Sequence, residues 1–144
     1  CRGKPAGGTP AGIAAPAAAG IPVTHREAGR GVAFVTGHTK EDAAVDWQAL
    51  ARSGLTLVIY MGIARCEDIV AALCAGGLRA DLPAAVIQHA TLPQQRVVAT
   101  TLARLPEDIR SHGIGSPAIL VIGEVANAAR LAAQTVHKHQ EAAA

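Results

Sequence analysis

The chain has 144 residues, which is the size of one domain. Half of the residues are hydrophobic and 17% are charged, which excludes a disordered chain and leaves enough apolar mass for a packed core. The formal net charge is only +2, the 13 Lys and Arg residues are scattered, and aromatic residues make up 2% of the chain. Because such a chain offers neither a basic stripe nor stacking platforms, we expect no nucleic-acid partner.

The cysteines and the hydrophobic runs indicate a cytoplasmic protein. Cys66 and Cys74 lie eight residues apart on one predicted helix. Their separation of about 12 Å along the helix axis is too large for a disulfide. The longest apolar run, Leu55 to Ile63, is interrupted by Thr56 and Gly62 and is too short to cross a bilayer. The chain also opens without a secretory leader, so we expect no membrane partner.

The first third of the chain is predicted to hold a lead-in, a strand and a helix. Residues 1–19 are rich in Gly, Pro and Ala, and we expect them to be a partly helical lead-in. Gly31 to Thr36 reads as a strand followed by a turn. Thr39 is a candidate N-cap for a helix from Lys40 to Arg52, which Gly54 ends.

The middle of the chain alternates strands and a helix. Leu55 to Met61 is apolar almost throughout, a pattern typical of a central parallel strand that is buried on both faces. Arg65 to Ala75 reads as a helix ended by two glycines. Two short strands follow, Ala84 to Gln88 and Arg96 to Leu102, and the short loop between them favours an antiparallel pairing.

The last third is predicted to complete an α/β fold. Pro106 is expected at the first position of a short helix, Pro117 to Ile122 forms a second buried strand, and Val125 to His137 forms a terminal helix. Strands that alternate with helices indicate a mostly parallel sheet with one antiparallel hairpin and helices on both faces.

Candidate ligand contacts follow from where strands end. In α/β sheets, ligands bind beyond the carboxyl ends of strands. Gly62 allows close backbone approach and Met61 can lay a thioether beside a planar ring, although a core Met and a plain turn explain the same residues. His25 and Arg26 are candidate contacts for a carboxylate, with a solvated loop pair as the alternative. Residues 88–91 form a polar loop after an apolar strand.

Sequence motifs for other chemistry are absent from this chain. It contains no Cys-x-x-Cys, no His-Glu-x-x-His, no Gly-x-Ser-x-Gly and no phosphate-binding loop. The acidic residues are isolated, so no catalytic carboxylate pair is predicted, and we expect no metal. Periodicity and spacing alone therefore predict an α/β domain with one ligand-binding edge.

Six segments in order resemble one family. These segments are GIPVTHR (20–26), VTGH (35–38), DW (46–47), LVIYMG (57–62), QRV (95–97) and PAILVIG (117–123). In their order and rough spacing the sequence resembles the uroporphyrinogen-III C-methyltransferases, which are tetrapyrrole methylases, from about Gly8 to Ala132.

The resemblance implies methyl transfer from S-adenosylmethionine to uroporphyrinogen III, giving precorrin-2 for siroheme or cobalamin. It implies a homodimer in which the donor lies between an N-terminal and a C-terminal α/β domain. Residues 20–140 would correspond to the C-terminal domain of the tetrapyrrole methylase fold. Donor contacts would fall on Met61, on Ala90 and on the pair Pro10 and Ala11, where the family usually has a Thr at the position of Pro10.

The resemblance covers only the C-terminal half of the family's catalytic unit. The family's Gly-rich loop, its acidic base and its Gly-Gly-Asp segment precede the matched region, so we expect no catalytic residue in this chain and no methylation by this chain alone. Two alternatives remain open. The chain could be a non-catalytic module for dimerisation or complementation, or part of a methyltransferase that acts on a later corrinoid.

Overall fold

The computed structural model describes residues 30–38, 44–90, 92–128 and 131. They form a five-stranded sheet with helices packed against it. The strands are β1 (Val32–Thr36), β2 (Thr56–Tyr60), β3 (Pro83–Gln88), β4 (Arg96–Thr101) and β5 (Ala118–Ile122). The helices are α1 (Trp47–Arg52), α2 (Cys66–Ala75) and α3 (Leu105–Ser111), and single 3₁₀ turns occupy Ile63–Arg65 and Glu124–Ala126.

The sheet has the order β1-β2-β5-β3-β4. The α/β class and the β3–β4 hairpin are confirmed, but the expectation of a mostly parallel sheet is wrong. Only β1 and β2 pair in parallel, while β2–β5, β5–β3 and β3–β4 are antiparallel. The continuous apolar runs in β2 and β5 reflect their interior positions, where both faces are covered. Burial of both faces selects apolar residues whatever direction the neighbouring strands run.

The three described helices all pack on one face of the sheet. Side chains of the strands alternate between the two faces, and those facing the helices are almost fully inaccessible to solvent. This core joins Leu57, Ile59, Val86, Leu120 and Ile122 of the sheet to Ala51, Ile69, Leu73, Leu105 and Ile109 of the helices. The buried residues of α2 therefore form its core face.

The opposite face of the sheet carries a second, smaller core. Its members are Val58, Ala85, Ile87, Ile119 and Val121 from the strands, with Val125 and Ala126 from the turn after β5. This turn leads into the predicted terminal helix, of which residues 127, 128 and 131 are helical and the remainder lies outside the described residues. In the described part of the chain, the start of that helix is therefore the helical segment that follows the turn on this face.

Two predicted helix starts differ from the structure. Helix α1 begins at Trp47 because the Asp46 side chain accepts a hydrogen bond from the Ala49 N–H at 2.9 Å, and residues 44–46 are not helical. The expected cap, Thr39, lies outside the described residues. Helix α3 begins at Leu105, which puts Pro106 at its second position. Across the described ranges, no helix has the length and apolar character needed to cross a bilayer.

Candidate functional site

Three strands end at the same edge of the sheet. β1, β2 and β3 run in the same direction and end at Thr36, Tyr60 and Gln88. We call this the carboxyl edge and define it by residues 36–38, 60–62 and 88–90. Tyr60 and Ile87 both lie opposite Ile119 of the intervening strand. Met61 is therefore level with Gln88, two strand spacings or about 10 Å away.

The turn after β2 presents a strained residue to solvent. Met61 has a φ of 50°, and its exposed fraction is 59%. A left-handed backbone is uncommon for any residue other than glycine, and such conformations cluster at functional sites. The exposed thioether, the soft apolar group suggested by the sequence, is available for contact with a ligand.

The turn after β3 repeats this feature. His89 has a φ of 49°, which makes it the second non-glycine residue with a left-handed backbone in the described ranges. Its N–H donates to the Pro117 carbonyl at 3.2 Å. The buried Gln88 side chain donates from Nε2 to the Gly115 carbonyl at 3.1 Å. These two bonds fix the turn against the segment that leads into β5, and Ala90, next in the chain, packs against the second core.

The turn after β1 lies against the turn after β2. The Gly37 N–H donates to the Tyr60 carbonyl at 2.6 Å. A Cβ atom at Gly37 would lie 2.6 Å from the Gly62 Cα and 3.0 Å from the Met61 carbonyl oxygen. The Thr36 hydroxyl closes the same turn, since it donates to the His38 carbonyl at 3.1 Å and accepts from the His38 N–H at 3.3 Å.

Near this edge, the thiol of Cys66 is a core group. Cys66 begins α2 and is 3% exposed. Burial raises the pKa of this thiol to about 11, an effect that the positive charge of Arg110 partly opposes. A protonated, buried thiol is neither a nucleophile nor a metal ligand. Cys66 and Cys74 are both free, and the residues that the structure describes contain no group of three His, Cys, Asp or Glu side chains that could hold a metal ion.

The structure brings two of the predicted donor contacts together. Met61 and Ala90 lie at the carboxyl edge, in the turns that follow the two strands flanking β5. The other predicted residues, Pro10, Ala11, His25 and Arg26, lie outside the described residues. The roles of all six stay predictions.

Sequence reasoning named residues 88–91 as a polar loop near the ligand edge, but it did not find the supporting roles of Gln88, His89 and Gly37. Gly37 contacts the turn after β2, Gln88 ties the turn after β3 to the chain before β5, and His89 has the second left-handed backbone. The segments VTGH and YMG both place a glycine just beyond a strand. That pattern indicates the contact between Gly37 and Gly62 only once the parallel pairing of β1 and β2 is known.

Comparison with known proteins identifies the family. Residues 7–106 match Tetrapyrrole (Corrin/Porphyrin) Methylases, and the chain belongs to this family. It is 52% identical over 118 residues to a uroporphyrinogen-III C-methyltransferase of Pseudomonas aeruginosa, an overlap covering 82% of this chain and 48% of that protein. It is 46% identical over 109 residues to a siroheme synthase of Gluconacetobacter diazotrophicus, covering 74% of this chain and 23% of that protein.

Solved structures agree with this assignment. A uroporphyrin-III C-methyltransferase from Thermus thermophilus in complex with S-adenosylhomocysteine superposes with a TM-score of 0.64 at 30% identity, over 76% of this chain and 49% of that chain. A cobalt precorrin-4 methyltransferase superposes with a TM-score of 0.72 at 23% identity, over 81% of this chain and 49% of that chain, a likeness of fold alone. The chain spans about half the length of the uroporphyrinogen-III C-methyltransferases it matches.

Proposed function

We propose that this chain forms one wall of the donor site of an S-adenosylmethionine-dependent methyltransferase that methylates uroporphyrinogen III. The observation that carries the proposal is the carboxyl edge, where Met61 and Ala90 flank the start of β5 in a chain of the tetrapyrrole methylase family. S-adenosylmethionine supplies an electrophilic methyl group on a sulfonium sulfur.

The chemistry of the carboxyl edge suits the adenosine part of that donor. Met61 offers a polarizable thioether that can contact a flat ring. Ala90 has a small side chain and lies two residues beyond Gln88, on the other side of the start of β5 from Met61, so it leaves room for a ring there. The turn at Met61 is open to solvent, since the Met61 side chain is 59% exposed, so the donor can reach it. In this proposal these residues bind and orient the donor, and Pro10 and Ala11 add further contacts.

The substrate assignment depends on the relatives of higher identity. Relatives named uroporphyrinogen-III C-methyltransferase are 52% and 47% identical to this chain, whereas the cobalt precorrin-4 methyltransferase is 23% identical. We therefore favour uroporphyrinogen III over a later corrinoid. His25 and Arg26 would contact its carboxylates, because Arg presents two parallel N–H donors that match a carboxylate.

Methyl transfer requires the acceptor carbon and the donor to be held in line. A small error in that geometry is costly, because orientation supplies a large part of the rate enhancement of enzymes. We propose that this chain is the C-terminal half of the catalytic unit and that the half of its relatives' length beyond the match supplies the opposing wall and the base. On this account the chain alone does not methylate, and the working enzyme is a cytoplasmic homodimer.

A transfer assay with separated halves tests this function. Radiolabelled methyl transfer from S-adenosylmethionine to uroporphyrinogen III is measured with the chain alone, with the complementary half of the Pseudomonas aeruginosa relative alone, and with both mixed. We expect methylated tetrapyrrole from the mixture and none from either half. Methylation by this chain alone would contradict the division of the site. A mixture that neither methylates nor retains S-adenosylhomocysteine would leave only a non-catalytic assembly role.

A further inference from the structure

We propose that Gly37 is a positioning residue for the donor site, because it holds the turn at Met61 in its left-handed conformation. The expected effect of Gly37 on donor binding rests on the proposed function. Its structural part, the control of the Met61 backbone by Gly37, rests on contacts within this chain alone.

The Met61 conformation needs support from the backbone. A φ of 50° is unfavourable for methionine and persists only where the surroundings enforce it. The side chain cannot enforce it by packing, because Met61 is 59% exposed. The support must therefore act on the main chain of residues 60–62. The turn after β1, at Gly37, packs against that main chain.

Gly37 contacts each of these three residues. Its N–H donates to the Tyr60 carbonyl at 2.6 Å, and a Cβ atom in its place would lie 3.0 Å from the Met61 carbonyl oxygen and 2.6 Å from the Gly62 Cα. All these neighbours are backbone atoms, so no side-chain rotation could make room. The φ angle of Gly37 is not positive. The position therefore requires glycine for close approach, not for backbone freedom.

Gly62 is held from its other side by the core. A Cβ atom built on Gly62 would lie 3.0 Å from both the Ile59 Cγ2 and the Leu120 Cδ1 atoms. The Gly62 backbone thus lies between the apolar core and Gly37, so it cannot move away from Gly37 without displacing core side chains. A methyl group at position 37 would have to displace the turn, and the φ of Met61 would change with it.

Two glycines of the chain provide matched controls. Gly115 lies in the segment that leads to β5, and a Cβ atom there would meet nothing within 4 Å. Gly31 precedes the other end of β1, and a Cβ atom there would approach only the Leu55 Cδ2 side-chain atom, at 3.0 Å. G115A therefore controls for adding a methyl group, and G31A controls for crowding near β1 away from the carboxyl edge.

The first test reads the Met61 backbone directly. Met61 is the only methionine of the chain, so a chain labelled with isotopic methionine gives one backbone amide signal. A positive φ brings the amide and α protons close together and produces a strong intraresidue nuclear Overhauser effect. We expect G37A to lose this effect and both G31A and G115A to keep it. Retention of the effect in folded G37A would overturn the inference.

A companion measurement needs no variant and covers the case in which G37A fails to fold. The wild-type chain is warmed in steps, at temperatures below its unfolding midpoint. We expect the Gly37 amide to lose its protection from hydrogen exchange at the same temperature at which Met61 loses its intraresidue nuclear Overhauser effect. Persistence of the Met61 effect after the Gly37 amide has become unprotected would overturn the inference.

The second test measures donor binding, with S-adenosylhomocysteine titrated into the whole polypeptide in which these residues occur. We expect G37A to weaken binding by about tenfold or more, as displacement of a binding group does. In the M61A background the same change should weaken binding less than about twofold, because Gly37 acts through Met61. An equal loss in both backgrounds would indicate a general structural role and overturn the inference. Absence of binding by the wild type would contradict the proposed function, while the backbone signal still decides the role of Gly37.

Discussion

At the scale of single residues, Met61 combines a strained backbone with an exposed side chain. The left-handed conformation costs a residue with a Cβ atom roughly 1–2 kcal/mol. Its side chain buries too little surface to offset that cost, since it is 59% exposed. Strain retained at an exposed position is typical of sites selected for binding, where activity and stability make opposing demands.

Replacement of Met61 separates these two demands. Met61→Gly should raise the free energy of unfolding by about 0.5–1 kcal/mol, because relief of the left-handed strain exceeds the entropy cost of glycine. Met61→Ala retains the strain and should change stability by less than about 0.5 kcal/mol. Both variants should weaken binding of S-adenosylhomocysteine, since both lack the thioether. Urea unfolding and calorimetric titration measure the two effects, and equal stability of the variants would contradict the account of strain.

The buried thiol of Cys66 predicts a loss of stability in alkaline solution. Its pKa is raised from 9.0 to about 11 in the fold. Between these values the unfolded chain has released the proton while the folded chain retains it, so stability falls as pH rises from about 9 to 11. The contribution is on the order of 2 kcal/mol.

The test is a comparison of unfolding free energies in urea at pH 8 and pH 10.5. Wild type should lose more stability than Cys66→Ala across this interval, because the variant lacks the titrating thiol. Cys74→Ala controls for the loss of a cysteine as such. Identical losses in wild type and Cys66→Ala would show that the thiol is not protected in the fold.

At the scale of elements, helix α1 depends on its cap. It has only six residues, and the Asp46 carboxylate accepts the Ala49 N–H that would otherwise lack a partner in the helix. Asp46→Ala should lower the free energy of unfolding by about 1 kcal/mol. Asp46→Asn retains an oxygen acceptor and should lose less than half of that. Denaturant unfolding distinguishes them, and an equal loss in both variants would argue against the cap.

The strand positions could be predicted from the sequence to within about one residue. Thr56–Tyr60 and Ala118–Ile122 are apolar runs bounded by turn residues, and such runs mark buried strands. Their direction could not be predicted, because the apolar pattern reports that both faces are covered and carries no information about the neighbouring strand. The start of α1 was misplaced since Thr39 and Asp46 are both good capping residues, and local sequence does not rank them.

At the scale of the whole molecule, β5 supports both cores. Leu120 and Val121 are each fully buried and face opposite sides of the sheet. Leu120→Ala should lower the free energy of unfolding by about 2–5 kcal/mol, because the cavity would open beneath Gly62 in the larger core. Leu92→Ala, at a position that is 48% exposed, should change it by less than about 0.5 kcal/mol. Comparable losses in thermal unfolding would contradict the assignment of the core.

The candidate site was only partly predictable. Met61 and Ala90 could be expected at one edge of the sheet because each follows a strand, and the structure places both there. The supporting contacts could not be expected, because Gly37 meets Gly62 only after β1 and β2 have paired in register. Gln88 reaches the Gly115 carbonyl 27 residues further along the chain, a contact that depends on β3 and β5 being neighbours.

The central claim is that the carboxyl edge binds the donor. Hydrogen–deuterium exchange of the whole polypeptide, with and without S-adenosylhomocysteine, tests it most directly because the method reports each segment of the backbone. We predict slower exchange of residues 36–38, 60–62 and 88–90 when the ligand is bound, and unchanged exchange at Gly31 and Gly123 on the opposite edge of the sheet. Slower exchange at Gly31 and Gly123 would contradict the account. So would unchanged exchange at all three turns of the carboxyl edge.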